Sequence, residues 1–259
     1  MNRGHAVTAV AFRALVLLAA ASMVACDKEK ATVTVTILAR DASSAQANLA
    51  TASEVIVRRV NSAGGSAKAS KDASKVTIRV RDLSLEQTAE LATRRGALYL
   101  AELKVDASRM VTVRKPDGST TLLPLPQVLT SPDLIESAEF VAVTVPDLSG
   151  VERQISGLYF RDAFVSKNIA GLTTVTFEMT DEGAHLLQTA TARLSNPPMP
   201  VTFVLDGVPM RGANGGILAP LVYSAITTTG VITGLTQEDA KVLAVIIGSG
   251  EIPSSVEVS

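Results

Sequence analysis

The chain has 259 residues, a length that fits one large domain or two small ones. Hydrophobic residues make up 47% of it and charged residues 19%, which is typical of a globular rather than a disordered protein. The formal net charge of −1 argues against a nucleic-acid-binding protein, which normally carries a basic surface. Aromatic residues make up only 3%, with no tryptophan, so the chain has little material for stacking bases or sugars.

The N-terminal segment has the pattern of an export signal. Arg3 and Arg13 precede the apolar run Ala14–Ala25, and a charged cluster begins at Asp27. A basic start, an apolar stretch of about 7–15 residues and a small-residue cleavage site are typical of a signal peptide. Cys26, the only cysteine, directly follows Met23-Val-Ala25. This junction resembles the lipobox of bacterial lipoproteins.

The lipobox resemblance implies that residues 1–25 are a lipoprotein signal peptide and that Cys26 is lipidated. The mature chain is then expected to be extracytoplasmic and anchored to the cell membrane, facing the periplasm from the inner membrane if the cell is Gram-negative. A plain secretory peptide and a buried structural cysteine are the alternatives for Cys26. A retained transmembrane anchor is a third, although Ala14–Ala25 is shorter than the roughly 20 apolar residues that a span needs.

Residues 26–103 are predicted to form a β-α-β-β-α-β unit. Strands are predicted at Thr32–Leu38, Val76–Val80 and Ala97–Leu103, from their alternating or apolar patterns. One helix, capped by Ser43 or Ser44, carries the apolar stripe Leu49, Ala52, Ile56 and Val60. The capping-box pattern Ser84–Gln87 opens a second helix. Two helices on one side of an antiparallel sheet give a ferredoxin-like α+β fold.

Residues 104–157 are predicted to be an irregular connector between two subdomains. The segment contains Lys115–Gly118, Leu123–Pro126 and Ser131-Pro132, all rich in turn-forming residues. A single hairpin is expected around Pro116-Asp-Gly118.

Residues 158–259 are predicted to form a second α+β subdomain. Strands are expected at Thr174–Met179, Val201–Leu205 and Ser255–Val258, with a turn at Asp206-Gly207. Thr180 or Asp181 caps one helix, whose inner side is Ala184, Leu187 and Leu194. Thr236 opens a last helix with the stripe Ala240, Leu243, Ala244 and Ile247, which is expected to end at Gly248.

A set of motifs in this second subdomain resembles a known family. They are, in order, Val175–Ala184, Val204–Val208, Ala219-Pro220, Val231–Gly234, Thr236–Ala240 and Gly248–Pro253. Together they resemble the periplasmic P1 head subdomain of SecD, an accessory membrane subunit of the bacterial Sec protein-export machinery. Glu54–Asn61, with its Arg-Val-Asn ending, and Val76–Val80 are similar to the P1 base subdomain. The resemblance implies a ferredoxin-like base and a P1-head-like α+β unit.

The same resemblance implies a non-enzymatic module on the outer side of the membrane. SecD carries transmembrane helices after this region, on which its proton-driven step depends, and the sequence has no such run before Ser259. The proton-driven step is therefore not carried over to this chain. The expected partners are the membrane, through the lipid anchor, and exported polypeptides or Sec membrane subunits. No nucleic acid is expected to bind.

The residues that could carry chemistry have simpler structural explanations. His185 is the only histidine after the signal segment, and it lies on a predicted helix without a glycine-rich nucleophile elbow. Asp181-Glu182 suit the positive end of a helix dipole better than an acid–base pair. Gly212–Gly216 lacks the lysine and the spacing of a phosphate loop, so a flexible loop is expected. No catalytic, cofactor-binding or metal-binding residue is therefore predicted.

Three functions are compatible with these features. The first is a membrane-anchored, SecD-like, non-catalytic lipoprotein that contacts polypeptide in protein export. The second is a binding or scaffolding envelope lipoprotein that has kept the fold without a Sec role, since a fold does not fix a function. The third is a hydrolase that uses His185 as its base. For the first two, the edges of the sheets are the surfaces of interest, because an extended chain can bind there by strand addition.

Overall fold

The computed structural model describes residues 32–39, 45–72, 75–254 and 256–259. The predicted signal peptide at residues 1–25, the lipidated Cys26 and the helix cap at Ser43 or Ser44 lie outside the described residues. Within the part that is described, no helix combines the length and the apolar character needed to cross a bilayer.

The first part of the chain forms a four-stranded antiparallel sheet with two helices on one face. Its elements are β1 (Val33–Ala39), α1 (Ala45–Ser62), β2 (Ser66–Lys71), β3 (Lys75–Arg81) and α2 (Leu85–Thr93). Alternation along the strands directs Val35, Ile37 and Ile78 into a buried cluster with the helices. The predicted stripe of α1 is buried there in full: Leu49, Ala52, Ile56 and Val60. The capping box at Ser84 is also confirmed, since Ser84 and Gln87 exchange both of its hydrogen bonds.

The fourth strand of this sheet differs from the one expected. The strand order is β15-β1-β3-β2, where β15 (Val256–Val258) comes from the C-terminus. The predicted closing strand, β4 (Leu98–Leu103), pairs instead with β12 (Val201–Leu205) in another sheet. The physical reason lies in its side chains: four of the six residues of β4 are buried, with no alternation. A strand that is apolar on both faces does not suit a sheet with one open face.

Residues 104–157, expected to be irregular, are largely regular. They form β5 (Met110–Arg114), β6 (Thr120–Pro124), α3 (Leu125–Leu129), α4 (Pro132–Glu136), β7 (Phe140–Ala142), β8 (Thr144–Pro146) and β9 (Glu152–Gln154). The predicted hairpin is β5–β6, and Asp117 in its turn accepts hydrogen bonds from the backbone and side chain of Ser119. Leu103, Val111, Val113, Leu125 and Val128 form a separate apolar cluster under it. This cluster explains why a segment rich in turn residues is ordered.

The last part of the chain builds the largest apolar cluster from two sheets and two helices. After a short 3-10 helix (Gly157–Tyr159) come β10 (Phe160–Lys167), β11 (Thr173–Met179), α5 (Asp181–Leu194), β12, β13 (Val208–Pro209), β14 (Thr229–Thr233) and α6 (Gln237–Ser249). The sheets have the orders β10-β11-β14 and β13-β12-β4-β7. Phe160, Phe177 and Phe203 meet edge to face between them, with ring centroids 5.2–6.0 Å apart. They join the two sheets into one core.

The predicted start signals of the last two helices are confirmed, and one predicted end is wrong. Thr180 accepts a hydrogen bond from the Gly183 amide, and Thr236 accepts one from the Asp239 amide. Helix α6 continues past Gly248 to Ser249. Gly250 ends it instead, with a φ of +89° that favours glycine, and its amide donates to the Ile246 carbonyl.

Candidate functional site

Arg59 lies at the point where three helices end, and its side chain is fully buried. It is in the last turn of α1, beside the C-terminal ends of α2 and α6. Its Nη1 donates to the carbonyls of Leu91 (3.0 Å) and Arg94. Its Nη2 donates to the carbonyls of Arg95 (3.1 Å) and Gly250 (2.8 Å), and its Nε donates to Ser249 Oγ (3.2 Å).

The partners of Arg59 are oxygen atoms of helix ends rather than a carboxylate. Such carbonyls lack partners within their own helices and carry the negative end of the helix dipole. Burial lowers the pKa of the Arg59 guanidinium to about 10, an effect that the charges of Asp206 and Glu251 oppose. Because this pKa is still well above neutral, the guanidinium stays charged and holds the three helix ends together at physiological pH.

Two of the family-like motifs, Glu54–Asn61 and Gly248–Pro253, contribute residues around this arginine, together with Gly96. Gly96 has a φ of +78°, and a Cβ there would collide with Arg59 Nη2. The Gly248–Pro253 motif supplies Ser249 and Gly250, and the Ile252 amide donates to the Arg95 carbonyl. Arg95 also pairs with Glu251, 2.7 Å apart. These residues join the C-terminal ends of α1, α2 and α6.

A cleft of about 630 Å³ opens on one side of this junction. Its walls are the end of α1, one side of α2, part of β10 and the outer side of α6. The lining residues are Ser62–Gly64, Leu83, Gln87, Glu90, Leu91, Asp162–Val165, Glu238, Lys241, Val242, Ala244, Val245 and Gly248. The cleft is therefore shared by the part of the chain that resembles the P1 base and the part that resembles the P1 head.

Strand β10 presents an unpaired edge to this cleft. It is the first strand of the order β10-β11-β14, and no other described strand pairs with its outer side. Four consecutive residues, Asp162–Val165, line the cleft, so side chains from both faces of the strand border it. Phe164 is 56% exposed and Val165 is 37% exposed. An apolar strand edge beside a groove is the geometry to which an extended peptide can add as a further strand.

The charges that line the cleft are mainly acidic. Glu90, Asp162 and Glu238 contribute carboxylates, and Lys241 contributes one ammonium group. Glu90 pairs with Arg94 at 2.9 Å, and Asp162 accepts a hydrogen bond from the Ala163 amide at 2.8 Å. A segment with apolar and basic side chains would match such a cleft.

His185, Asp181 and Glu182 are not among the residues that line this cleft. His185 is half-buried on α5, where its carbonyl accepts a hydrogen bond from Thr189. Asp181 and Glu182 occupy the first turn of α5, and Asp181 is held by Arg161. In the described ranges, no group of three or more His, Cys, Asp or Glu side chains is placed to hold a metal ion.

The loop Gly212–Gly216, expected to be flexible, is tied down by hydrogen bonds. Arg211 Nη1 donates to the Gly215 carbonyl, and Asn214 Oδ1 accepts from the Gly216 amide. Glu136 of α4 accepts from both Arg211 and the Ile217 amide. The loop is therefore an ordered turn, fastened to the segment that was expected to be irregular.

Two features of this region were missed by sequence reasoning. Strand β10 was not predicted, although Ala163-Phe-Val-Ser166 mixes apolar and polar residues in a strand-forming run. The role of Arg59 was also missed, because the charged pair Arg58-Arg59 suggests a solvated helix face. A signal was available: Arg59 lies three residues from Ile56, on the buried side of the same helix.

The part of the chain that contains β10 and α6 is similar to known proteins. Residues 141–254 match the family model described as SecDF, P1 head subdomain. Over 111 residues the chain is 33% identical to the protein translocase subunit SecD of Dehalococcoides mccartyi (strain VS). The aligned part is 42% of this chain and 24% of that protein, so the chain spans about a quarter of this relative.

Two solved structures of SecDF have a similar fold. One, described as a membrane component SecDF that enhances protein export, covers 88% of this chain and 98% of its own, with a TM-score of 0.57 and 20% identity. The other, a super-membrane-facing form of SecDF, covers 89% of this chain and 30% of its own, with a TM-score of 0.59 and 19% identity. The α+β fold and the resemblance to the periplasmic P1 region of SecD are thus confirmed. The matched range begins at residue 141, inside the predicted connector, and the subdomain boundaries stay predictions.

Proposed function

We propose that this chain is a non-catalytic accessory module of protein export that contacts unfolded polypeptide outside the cytoplasm. The supporting observation is the unpaired edge of β10, a strand of the region that matches the SecDF P1 head, where Phe164 and Val165 border the cleft shared with α1 and α2. Polypeptide in transit is unfolded, so its backbone can pair with a free strand edge. The carboxylates of Glu90, Asp162 and Glu238 favour segments that combine apolar and basic side chains.

We further propose that the module is held at the membrane by lipid on Cys26. A single acyl chain binds a membrane only marginally, whereas a multiply acylated lipoprotein cysteine anchors stably. Cys26→Ser is expected to release the mature chain from the membrane or to leave it unprocessed, while the control Ser22→Ala leaves fractionation unchanged. A Cys26→Ser chain that is cleaved and still bound to membranes would contradict the anchor.

Site-specific photo-crosslinking from two matched positions tests the polypeptide contact. Phe164 of β10 and Val231 of β14 both stand opposite Thr176 of β11, on the same face of the sheet. Their exposures are alike, at 56% and 59%. A photoreactive residue at position 164 is expected to capture exported chains stalled in transit, and the same residue at 231 is expected to give only background. Equal capture of exported chains from both positions would contradict the proposal that polypeptide binds at the edge of β10.

A scaffolding role without Sec contacts is the second candidate, because a fold does not fix a function. The two candidates differ in what co-purifies with the chain from crosslinked membranes. Enrichment of Sec subunits and exported chains over a control lipoprotein supports the export role. Their consistent absence, with other envelope proteins enriched instead, supports scaffolding.

A further inference from the structure

The sheet that carries β1 has one face without a helix, and this face is basic. Helices α1 and α2 cover the side of Val35, Ile37 and Ile78. On the other face, pairing places Lys68 beside Arg79 and Thr34, and Ser66 beside Arg81. The side chains of Lys68, Arg79 and Arg81 are all exposed. Five hydroxyl residues lie on the same face: Thr34, Thr36, Ser66, Ser70 and Thr77.

The cations are concentrated at one end of this face. Lys75 is at the opposite end, where Leu38 separates it from Glu257 of β15. Asp72 and Asp82 are the residues that directly follow β2 and β3. Among the described strand residues of this face, the charged side chains at this end are Lys68, Arg79 and Arg81, and all three are cations. We call this cluster the basic face.

The start of β1 lies at the same end as the basic face. Val33 pairs with Val80, and Thr34 pairs with Arg79. Adjacent strands are about 4.8 Å apart, so Lys68 on β2 is roughly 10 Å from Thr34 across the sheet. Only residues 27–32 separate Cys26 from Val33. Even fully extended, that stretch spans about 25 Å at most.

We propose that the basic face binds the anionic surface of the bilayer to which Cys26 is anchored. This inference rests on the lipid anchor proposed above. A short tether keeps Lys68, Arg79 and Arg81 close to the headgroups, and anionic lipids attract clustered Lys and Arg near a membrane. Hydroxyl groups beside the cations can donate to phosphate oxygens. The contact would fix the orientation of the module, with α1 and α2 directed away from the bilayer.

The orientation can be measured with single cysteines, because a lipidated Cys26 is a thioether that thiol reagents do not label. Ser66→Cys places a fluorophore on the basic face, and Thr51→Cys places one on the exposed side of α1, across the sheet. The full chain, purified from membranes, is reconstituted in vesicles that carry a headgroup quencher. The vesicles contain phosphatidylcholine alone or mixed with phosphatidylglycerol.

Quenching at position 66 is expected to exceed quenching at position 51 severalfold in the anionic vesicles. This difference is expected to vanish in neutral vesicles and to shrink as salt screens the charges. It should also vanish in the triple variant Lys68→Gln, Arg79→Gln, Arg81→Gln. The control triple Arg114→Gln, Lys115→Gln, Lys167→Gln, which removes the same charge elsewhere, should preserve it. Ser70→Cys, also on the basic side of the sheet, repeats the measurement if Ser66→Cys folds poorly.

The proposal would be overturned by equal quenching at positions 66 and 51, or by a difference in quenching that is the same in anionic and neutral vesicles. An equal loss in both triple variants would also overturn it, because that would indicate a net-charge effect. Quenching at 66 that is strong only when another envelope protein is added would show that the face binds protein and not lipid. Labelling of Cys26 in the parent chain would refute the anchor itself, separately from the basic face.

Discussion

Strands β2 and β10 are both at the edge of a sheet, and their side chains give the two edges opposite properties. β2 carries Lys68 and Lys71, and five of its six residues are exposed. Charged edge residues, lysine above all, discourage the addition of another strand. β10 presents the apolar run Ala163, Phe164 and Val165 to a cleft, and its charged residues, Arg161, Asp162 and Lys167, lie on either side of that run. One edge is protected against pairing and the other is left open for it.

The contrast between β2 and β10 suits two different kinds of binding partner. An exposed apolar edge is an aggregation hazard, so a protein that keeps one normally has a use for it. In this chain the open edge borders a cleft whose other walls include α2 and α6. The lysine-bearing edge borders the basic face, where the proposed partner is a charged surface rather than a strand.

The largest predicted effect concerns Arg59, which joins the two parts. Arg59→Ala removes the donor of five hydrogen bonds to buried or partly buried acceptors, and is expected to cost about 3 kcal/mol or more of unfolding free energy. Its neighbour Arg58 is exposed, so Arg58→Ala should change stability by less than about 0.5 kcal/mol. Urea unfolding followed by circular dichroism measures both. Similar losses in the two variants would show that Arg59 does not join the helix ends.

The next effect concerns the far side of the β10 sheet. Gly230 of β14 lies opposite Phe177, and a Cβ there would collide with the Phe177 ring. Gly230→Ala is therefore expected to destabilise the chain by about 1–3 kcal/mol, because the aromatic core must shift. The exposed neighbour Thr229 supplies the control, Thr229→Ala. An unchanged thermal midpoint in Gly230→Ala would mean that the ring moves away at no cost.

How far the sequence could predict this fold depends on how local the signal is. The caps at Ser84, Thr180 and Thr236 and the stripes of α1 and α6 follow from neighbouring residues, and all were predicted. The pairing of β4 with β12 and of β15 with β1 joins residues far apart in the chain, and local patterns do not carry that information. The same holds for Arg59, whose acceptors include residues 190 and 191 positions away. The cleft depends on all these long-range contacts, so its position could not be predicted.

A third prediction exchanges the characters of the two edges. Lys68→Val with Lys71→Val removes the protection of β2, and is expected to increase concentration-dependent association in light scattering while changing stability little. Phe164→Lys with Val165→Lys protects β10 and is expected to abolish capture of polypeptide at the cleft. The double variant Lys104→Val, Lys115→Val, away from both edges, controls for the loss of charge. Association that rises equally in that control would remove the distinction between the edges.

The smallest predicted effect compares two hairpin turns built on an aspartate. Asp117 accepts hydrogen bonds from Ser119, and Asp147 accepts them from Ser149, Val151 and Arg153. These bonds hold the pKa of both carboxyl groups below the usual range. The largest contribution comes from the Ser149 side chain at Asp147 and from the Ser119 side chain at Asp117. A carboxyl group whose pKa is lowered by folding stabilises the fold above its unfolded pKa of about 4, and this contribution is lost as the pH falls through the folded pKa.

Asp147→Asn should therefore lower the thermal midpoint at neutral pH, and its midpoint should converge with that of the parent in acid. Asp117→Asn should show the same trend with a smaller amplitude, because Arg153 has no counterpart among the hydrogen bonds of Asp117. If the thermal midpoints of the parent and Asp147→Asn differ by the same amount at every pH, the loss of stability comes from the turn geometry and not from the carboxylate charge.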